Sequence, residues 1–393
     1  MKKVTGKNYT LYNADCRDVL KKMIEREETV HNLVTDAPYS LESIQKRFGS
    51  IDMSKDTFTN KRITQRGDGF ARLVNTRGSS GGWLNQTWDT TKIERDPEFW
   101  KLCHEVILPG GFLLVFAHTT TYHETAMAIK EAGFKMRGMF TWVHGQNFNK
   151  GKSLSKAIDR QLLGTEKFSK LKKKHTDSYG NYTPITEEAK RYTGWCDQLK
   201  NSFEPIVFAQ KPLSEKNIAS NVIKHKTGAL NIGDTSLTSG GKTRQFSNFI
   251  TDGSPEVLKR FEELGRLDAS EFFFIAKPSK SERTEGLTVG ERNPHPTTKP
   301  ISLLSKLITL VAVPGTTVLD TFMGSGTTGC SALSLGYKFI GVEREEQYFN
   351  VARQRLKHYA SKVKPDTRVL QSVPKEGLKL KPIDSTTKFR SLF

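Results

Sequence analysis

Short apolar runs and amphipathic stretches alternate along most of this chain. Residues 9–13, 32–35, 112–117, 140–143, 205–209, 272–276, 316–319 and 339–342 are β-rich and brief, which predicts strands. Helical spacing of apolar positions predicts helices over 98–108, over 123–132 ending at Gly133, over 301–311, over 327–335 ending at Gly336, and over 345–359. Continuous apolar strands alternating with helices indicate a mostly parallel, doubly wound α/β sheet.

Three stretches interrupt that rhythm. Residues 41–96 are rich in Gly, Ser, Thr and basic side chains, residues 149–200 carry the Lys170, Lys172, Lys173 and Lys174 cluster, and residues 211–269 lack strand patterning. All three read as insertions rather than sheet. The tail from 361 to 393 is Lys-rich and aperiodic, which predicts a loosely ordered or DNA-touching extension.

A strand at Val318-Leu319-Asp320 runs into Thr321-Phe322-Met323-Gly324-Ser325-Gly326-Thr327-Thr328-Gly329 and opens a helix. Gly324, Gly326 and Gly329 fit G-x-G-x-x-G, and Glu343 ends the next strand nineteen residues after the first glycine. An acidic side chain there can accept hydrogen bonds from both ribose hydroxyls, so a nucleoside cofactor is implied. Only 50 residues follow Glu343, which leaves no length for the second half of a dinucleotide-binding fold. The rest of the sheet must come from upstream, and the reactive groups are expected in the N-terminal part of a permuted domain.

That expectation directs attention to Leu33-Val34-Thr35-Asp36-Ala37-Pro38-Tyr39, a short apolar strand ending in polar and rigid residues. Doubly wound folds place their sites at this carboxyl edge. The segment resembles the D-P-P-Y motif of the β-type amino-methyltransferases of DNA, the N-4/N-6 methylase family with phage and prophage members. In that family the motif precedes a recognition region and an F-x-G-x-G loop. Asn13-Ala14-Asp15-Cys16 resembles the family's GDC turn, Asn293 to Pro300 its HPTxKP segment, and Phe322 to Gly326 its glycine loop.

The resemblance implies a seven-stranded, Rossmann-like methyltransferase sheet with inserted DNA-recognition segments. It also implies a site-specific enzyme that moves a methyl group from S-adenosylmethionine to adenine N6 of a flipped-out base. By that resemblance Asp36, the Ala37 carbonyl, Pro38 and Tyr39 form the reactive motif. Phe322, Gly324 and Gly326 line the cofactor pocket, Glu343 holds the ribose, and Asp15 and Cys16 meet the adenine. Asp320 faces the methionine amino group, and His295, Thr297 and Lys299 approach the cofactor.

The chemistry accounts for these residue types. An exocyclic amino nitrogen is a poor nucleophile because its lone pair is delocalised into the ring, so acceptors must hold its N–H bonds and draw it toward tetrahedral geometry. A base inside a duplex is out of reach, so it must be extruded and stacked, here on Tyr39. Ala37 departs from the family's first proline, yet it keeps the carbonyl and still precedes Pro38, which disfavours helical backbone. Asp at the first position resembles adenine-directed members; cytosine N4, an RNA-directed enzyme and a catalytically silent relative stay open as alternatives.

The division expected is catalytic core over 1–40 and 99–148, a DNA-facing insertion over 41–98, and a basic candidate recognition segment over 149–200. A core strand over 201–210, a second candidate recognition segment over 211–270, the cofactor-binding part over 271–360 and the basic tail over 361–393 complete it. Trp83, Trp88 and Arg77 lie in the first insertion, where a loop closing over DNA and simple core packing are both open. His31, His118 and His123 lack ligand spacing and receive no role.

Charge sharpens the partner. The chain carries 61 Lys and Arg against 42 Asp and Glu, a formal charge of +19, which points to a polyanion such as double-stranded DNA. Four scattered cysteines form neither a zinc pattern nor a disulfide framework and fit a reducing cytoplasm. No apolar run approaches a bilayer span, so no membrane association and a cytoplasmic location in a bacterium or phage-infected host are expected. One chain leaves open whether a restriction enzyme accompanies the protein and whether it forms a homodimer.

Overall fold

The structure is a computed structural model that describes residues 1–40, 91–144, 151–251 except 179, 200, 240, 241 and 245, and 275–362 except 276, with the single positions 259 and 263. The readings made for residues 41–90, for Arg77, Trp83 and Trp88, for most of a strand at 272–276 and for the tail beyond 362 lie outside the described residues.

Eleven strands are described: β1 (Lys2–Gly6), β2 (Tyr9–Asn13), β3 (Asn32–Asp36), β4 (Phe112–Phe116), β5 (Lys135–Val143), β6 (Phe203–Gln210), β7 (Leu237–Ser239), β8 (Lys242–Arg244), β9 (Phe249–Thr251), β10 (Thr317–Asp320) and β11 (Lys338–Glu343). Nine of them form one sheet in the order β1-β2-β11-β10-β3-β4-β6-β5-β9, while β7 and β8 pair as a separate ribbon. The run β2-β11-β10-β3-β4 is parallel, and β6 enters antiparallel between β4 and β5. Permutation is visible in the register: β10 pairs with β3 through Val318 and Asn32, and β11 with β2 through Glu343 and Asn13.

The expected seven-stranded sheet therefore carries an additional strand at each edge, β1 and β9. β9 corrects the reading of 211–269 as free of sheet, for Phe249–Thr251 pairs in parallel with Thr141–Val143. The strand expected at 140–143 starts earlier, at Lys135, and pairs along its whole length with β6.

Burial on both faces follows from strand alternation. Val34 and Leu114 point into a core shared with the Ile301–Val311, Thr327–Ser334 and Glu346–Lys362 helices. Leu33, Leu113 and Val115 point the other way, toward the Cys16–Glu25, Pro97–Val106 and Tyr122–Glu131 helices. The Cys16–Glu25 helix was not foreseen, although Cys16, Val19, Leu20 and Met23 are spaced for one buried face and Asp15 caps its first turn through the Arg17 N–H at 2.9 Å.

The sheet has two functionally different edges. β3, β4 and β5 end, and β6 begins, at the edge that carries Asp36. Residues 151–199 leave and re-enter the sheet there as three helices, Leu154–Leu163, Thr165–Lys172 and Glu187–Arg191. Buried Asp159 ties the first of them to the start of the third, accepting from Tyr182 Oη at 2.7 Å, the Ile185 and Thr186 N–H groups at 2.8 Å and Thr186 Oγ1 at 2.7 Å.

Gln210 ends β6 at the opposite edge. The Ile218–His225 helix stays there, with Asn221 donating to the Pro109 carbonyl at 2.9 Å.

Candidate active site

One cavity of about 520 Å³ opens at the carboxyl edge of the sheet. Its lining includes Asp15, Cys16, Asp36, Ala37, Pro38, Tyr39, His295, Thr297, Lys299, Asp320, Phe322, Gly324 and Glu343, residues from both ends of the chain. The parallel pairing of β3, β10 and β11 brings them together, because each strand delivers its last residue to the same rim. Gly326 is the exception. Its φ of +80° lets it cap the Thr327–Ser334 helix, and a Cβ there would meet Leu356 at 2.6 Å, so it serves close helix packing rather than the cavity wall.

The glycine loop is held from three sides. Gly324 adopts φ +51°, and a Cβ on it would lie 2.5 Å from the His295 ring. Glu343 accepts the N–H of Gly324 at 2.9 Å and that of Glu345 at 2.8 Å. Fully buried Arg355, which belongs to no motif, donates to the Ser325 carbonyl at 2.8 Å and to Thr327 Oγ1 at 3.1 Å. Burial raises the Glu343 carboxyl to about 7, against the pull of those backbone donors.

Asp320 turns inward at the end of β10. It accepts from Thr35 Oγ1 at 2.6 Å and from the Phe322 N–H at 3.0 Å, and burial lifts it to about 6 despite those bonds. Phe322 packs on Phe99 with ring centroids 5.4 Å apart and also lines the cavity. Cys16 is a buried wall residue whose thiol burial pushes up to about 12. His295 packs edge-on against Tyr348, and burial together with Lys299 lowers its ring to about 3.

Asp36 and Tyr39 form a charged cluster with Lys299 and Glu204. Tyr39 Oη donates to Asp36 Oδ1 at 3.2 Å or to Glu204 Oε2 at 3.0 Å. Lys299 Nζ lies 2.5 Å from Asp36 Oδ2 and 3.2 Å from Glu204 Oε2, and also sits over the rings of Tyr39 and Phe116. The Lys299 ammonium is engaged by Asp36 and Glu204, within the same cavity that Gly324 and Glu343 line. Burial raises Asp36, partly offset by Lys299, whereas Lys299 and His144 outweigh burial at Glu204 and hold that carboxyl well below its usual range.

A DNA methylase family model matches residues 30–354, a span that contains the Asp36 motif, β4 to β6, the Lys299 segment, the glycine loop and Glu343. This chain belongs to the DNA methylase family. It is 24% identical over 359 residues to the Type II methyltransferase M.HindIII of Haemophilus influenzae, which covers 88% of this chain and 94% of that protein. An 88-residue stretch is 42% identical to the Type II methyltransferase M.HinfI of the same species, spanning 22% of this chain and 23% of that one.

Among solved structures, M1.HpyAVI in complex with S-adenosylmethionine aligns over 88% of this chain and 98% of its own at 17% identity and a TM-score of 0.43. The cytosine-N4-specific PvuII DNA methyltransferase aligns over 89% and 87%, at 14% identity and a TM-score of 0.43. DNA methylases of this family act on exocyclic N4 or N6 amino groups and use S-adenosylmethionine.

Two residues that line the methylase's cavity, Glu204 and His118, and one beside it, His144, had no sequence signal of their own. Glu204 comes from antiparallel β6 and reaches Asp36 only because β4 lies between the two strands. His144, at the end of β5, sets Nε2 3.4 Å from Glu204 Oε1. His118, given no role above, lines the cavity with its ring 5.9 Å from that of Tyr39. No helix among the described residues is long and apolar enough to cross a membrane.

Proposed function

We propose that this methylase transfers a methyl group from S-adenosylmethionine to adenine N6 in double-stranded DNA, at a base turned out of the helix into the cavity. The observation that carries this reading is that Asp36 and Tyr39 line the same cavity as Gly324 and Glu343. That size accommodates a nucleoside cofactor beside a base. Glu343 would hold the ribose hydroxyls, Phe322 and Gly324 the body of the cofactor, and Asp15 and Cys16 its adenine. Asp320, His295 and Thr297 complete that side.

S-adenosylmethionine supplies an electrophilic methyl group when bound. The rest is positioning by this chain. Asp36 and the Ala37 carbonyl accept the two N–H bonds of the target amino group and free its lone pair. Tyr39 stacks on the base and Pro38 fixes the turn between them. As the N–C bond forms and the C–S bond breaks, the nitrogen becomes positive, and Asp36 stands in reach of the proton it must lose.

Adenine is favoured over cytosine by an Asp, rather than a Ser, at position 36. Recognition of the DNA sequence is assigned to residues 151–199, whose helices leave the sheet at the edge that carries Asp36. The Lys211 to His225 part of the second candidate segment lies at the opposite edge, which supports residues 151–199 over it for that role. The test is methylation of duplex DNA with labelled cofactor, followed by digestion and mass spectrometry of the nucleosides. N6-methyladenine that disappears in Asp36→Ala is the expected result; N4-methylcytosine would overturn the choice of base, and labelled RNA without labelled DNA the choice of substrate.

A further inference from the structure

Two side chains meet the two oxygens of Asp36, and a third, from β6, holds both of them. Lys299 Nζ takes Oδ2, and the Tyr39 hydroxyl lies 3.2 Å from Oδ1. Glu204 touches both of these partners, at 3.2 Å to Lys299 and 3.0 Å to Tyr39, and turns its other oxygen to His144. The Lys299 side chain is 8% exposed, so its ammonium has exchanged water for these two carboxylates and two aromatic faces.

We propose that Glu204 is a positioning residue for methyl transfer: it draws Lys299 onto Oδ2 of Asp36 and thereby reserves Oδ1 for the amino group of the target base. The inference rests on the proposed role of Asp36. An amino N–H arriving at Oδ1 takes the place of the Tyr39 hydroxyl, which keeps Glu204 as its second acceptor. Lys299 alone could swing with a carboxylate on a free rotamer; fixed between two carboxylates it pins the carboxylate plane of Asp36.

The arrangement also sets the acid side of the pH profile. Facing Asp36 are Lys299, Glu204, Tyr39, Asp320 and, through Glu204, His144; His118 and Lys277 line the same cavity. Lys299 favours the ionised form of Asp36 and Glu204 opposes it. Removing the lysine therefore leaves two carboxylates against each other, and removing Glu204 leaves Lys299 to Asp36 alone.

The experiment is single-turnover methylation of duplex DNA as a function of pH at saturating S-adenosylmethionine, with cofactor affinity measured in parallel. Wild type is compared with Glu204→Gln, Lys299→Met, Lys299→Arg and the Glu204→Gln/Lys299→Met double variant. Glu204→Gln is expected to lower the rate about tenfold or more while cofactor affinity stays within about twofold, because only orientation is lost. Its acid limb moves to lower pH. In Lys299→Met the limb moves up by roughly one pH unit, the double variant brings it back toward wild type, and Lys299→Arg retains the wild-type limb.

A purely structural ion pair also has one lesion relieved by the second in stability, but it does not move the acid limb of the rate in opposite directions in the two single variants. Unchanged acid limbs in Glu204→Gln and Lys299→Met, or a rate loss matched by loss of cofactor affinity, would overturn the proposal. Should Lys299→Met fail to fold by circular dichroism, the downward shift in isosteric Glu204→Gln decides alone. A wild-type protein that methylates no DNA would instead remove the reading of Asp36 itself, and this inference with it.

Discussion

The carboxylate of Glu343 accepts the backbone N–H of Gly324 at 2.9 Å, so the acidic end of β11 is tied to the first glycine of the loop it faces. That bond occupies an oxygen of the carboxylate proposed to hold the ribose. Burial holds the group at about 7, above its unfolded value. The folded protein without cofactor therefore binds more protons than the unfolded chain between roughly pH 4.3 and 7, and stability falls as pH rises through that window. Asp320, raised to about 6, adds to the same slope. Glu343→Gln is expected to raise the melting temperature at pH 8 by a few degrees, with the gain fading toward pH 5. It should also weaken S-adenosylmethionine binding about tenfold, the loss of one charge-assisted hydrogen bond. Thermal melts at both pH values and a binding titration check the pair of effects; a variant less stable than wild type at pH 8 contradicts the assignment of Glu343 as a strained, ligand-directed acid.

Asp36→Asn keeps the shape of the acceptor but replaces one oxygen with a donor and removes the charge facing Lys299. The methylation rate is expected to fall about a hundredfold or more, the scale seen when one preorganised electrostatic partner is lost. Cofactor affinity should change little, since Glu343 and the glycine loop are the parts proposed to hold the cofactor. Equilibrium binding of S-adenosylmethionine alongside single-turnover rates separates the two. A large loss of cofactor affinity with an unaltered rate would place Asp36 on the cofactor side instead.

The parts of this site that were legible in sequence are those whose chemistry is local. Asp36 to Tyr39 and Phe322 to Gly326 each pack a strand end, a turn and a reactive or permissive residue into a few consecutive positions, and Glu343 follows at a spacing set by one helix and one strand. Glu204 is different. Its neighbourhood, Ser202-Phe203-Glu204-Pro205, reads as the start of a strand, and only the order β3-β4-β6 brings it beside Asp36. His144 and His118 follow β5 and β4, so their proximity to Asp36 and Tyr39 depends on the same strand order. Lys299 was visible within its segment but its direction was not, because a four-carbon side chain can serve either wall of a cavity that both walls share. β9 escaped for another reason: three residues offer too little alternation to stand out from the basic sequence around them.

Gly324→Ala tests the loop from the backbone side. A φ of +51° disfavours any side chain, and the new methyl would meet the His295 ring at 2.5 Å. The strain should cost about 1–2 kcal/mol of stability, read as a lower denaturation midpoint, and should weaken cofactor binding through displacement of His295 or of the loop. Gly326→Ala shares the stability loss, since its Cβ would strike Leu356 and Ala352, but its effect on binding should be the smaller of the two. Equal binding losses in both variants would mean that the loop responds as one rigid unit.

Thiol titration offers a test of burial that is independent of activity. Cys16, Cys103 and Cys330 are buried, and burial raises all three thiols, to about 12 at Cys16 and about 11 at Cys330. Cys196 is exposed. A disulfide-exchange reagent at pH 8 should modify one thiol per native chain and four after denaturation, and Cys196→Ser should abolish the native reaction. Rapid native modification of Cys16 would show that the cavity wall opens on the timescale of the reagent.

The Lys172, Lys173 and Lys174 side chains are exposed at the end of the Thr165–Lys172 helix, in the segment that leaves the sheet beside Asp36. Lys170 is already engaged with Glu166 at 2.9 Å, so the three that follow are the stronger candidates for phosphate contact. Each lysine that neutralises a phosphate releases condensed counterions and steepens the fall of affinity with salt. Lys172→Gln/Lys173→Gln/Lys174→Gln is therefore expected to weaken DNA binding on all sequences alike and to reduce the slope of log affinity against log salt by about one for each contact removed. The choice of methylated sequence should not change, because phosphate contacts carry no base information. Binding isotherms at several salt concentrations supply the slope. An unaltered slope would show that this cluster is a solvated face and would move the search for the phosphate-binding surface to other basic groups around the cavity mouth.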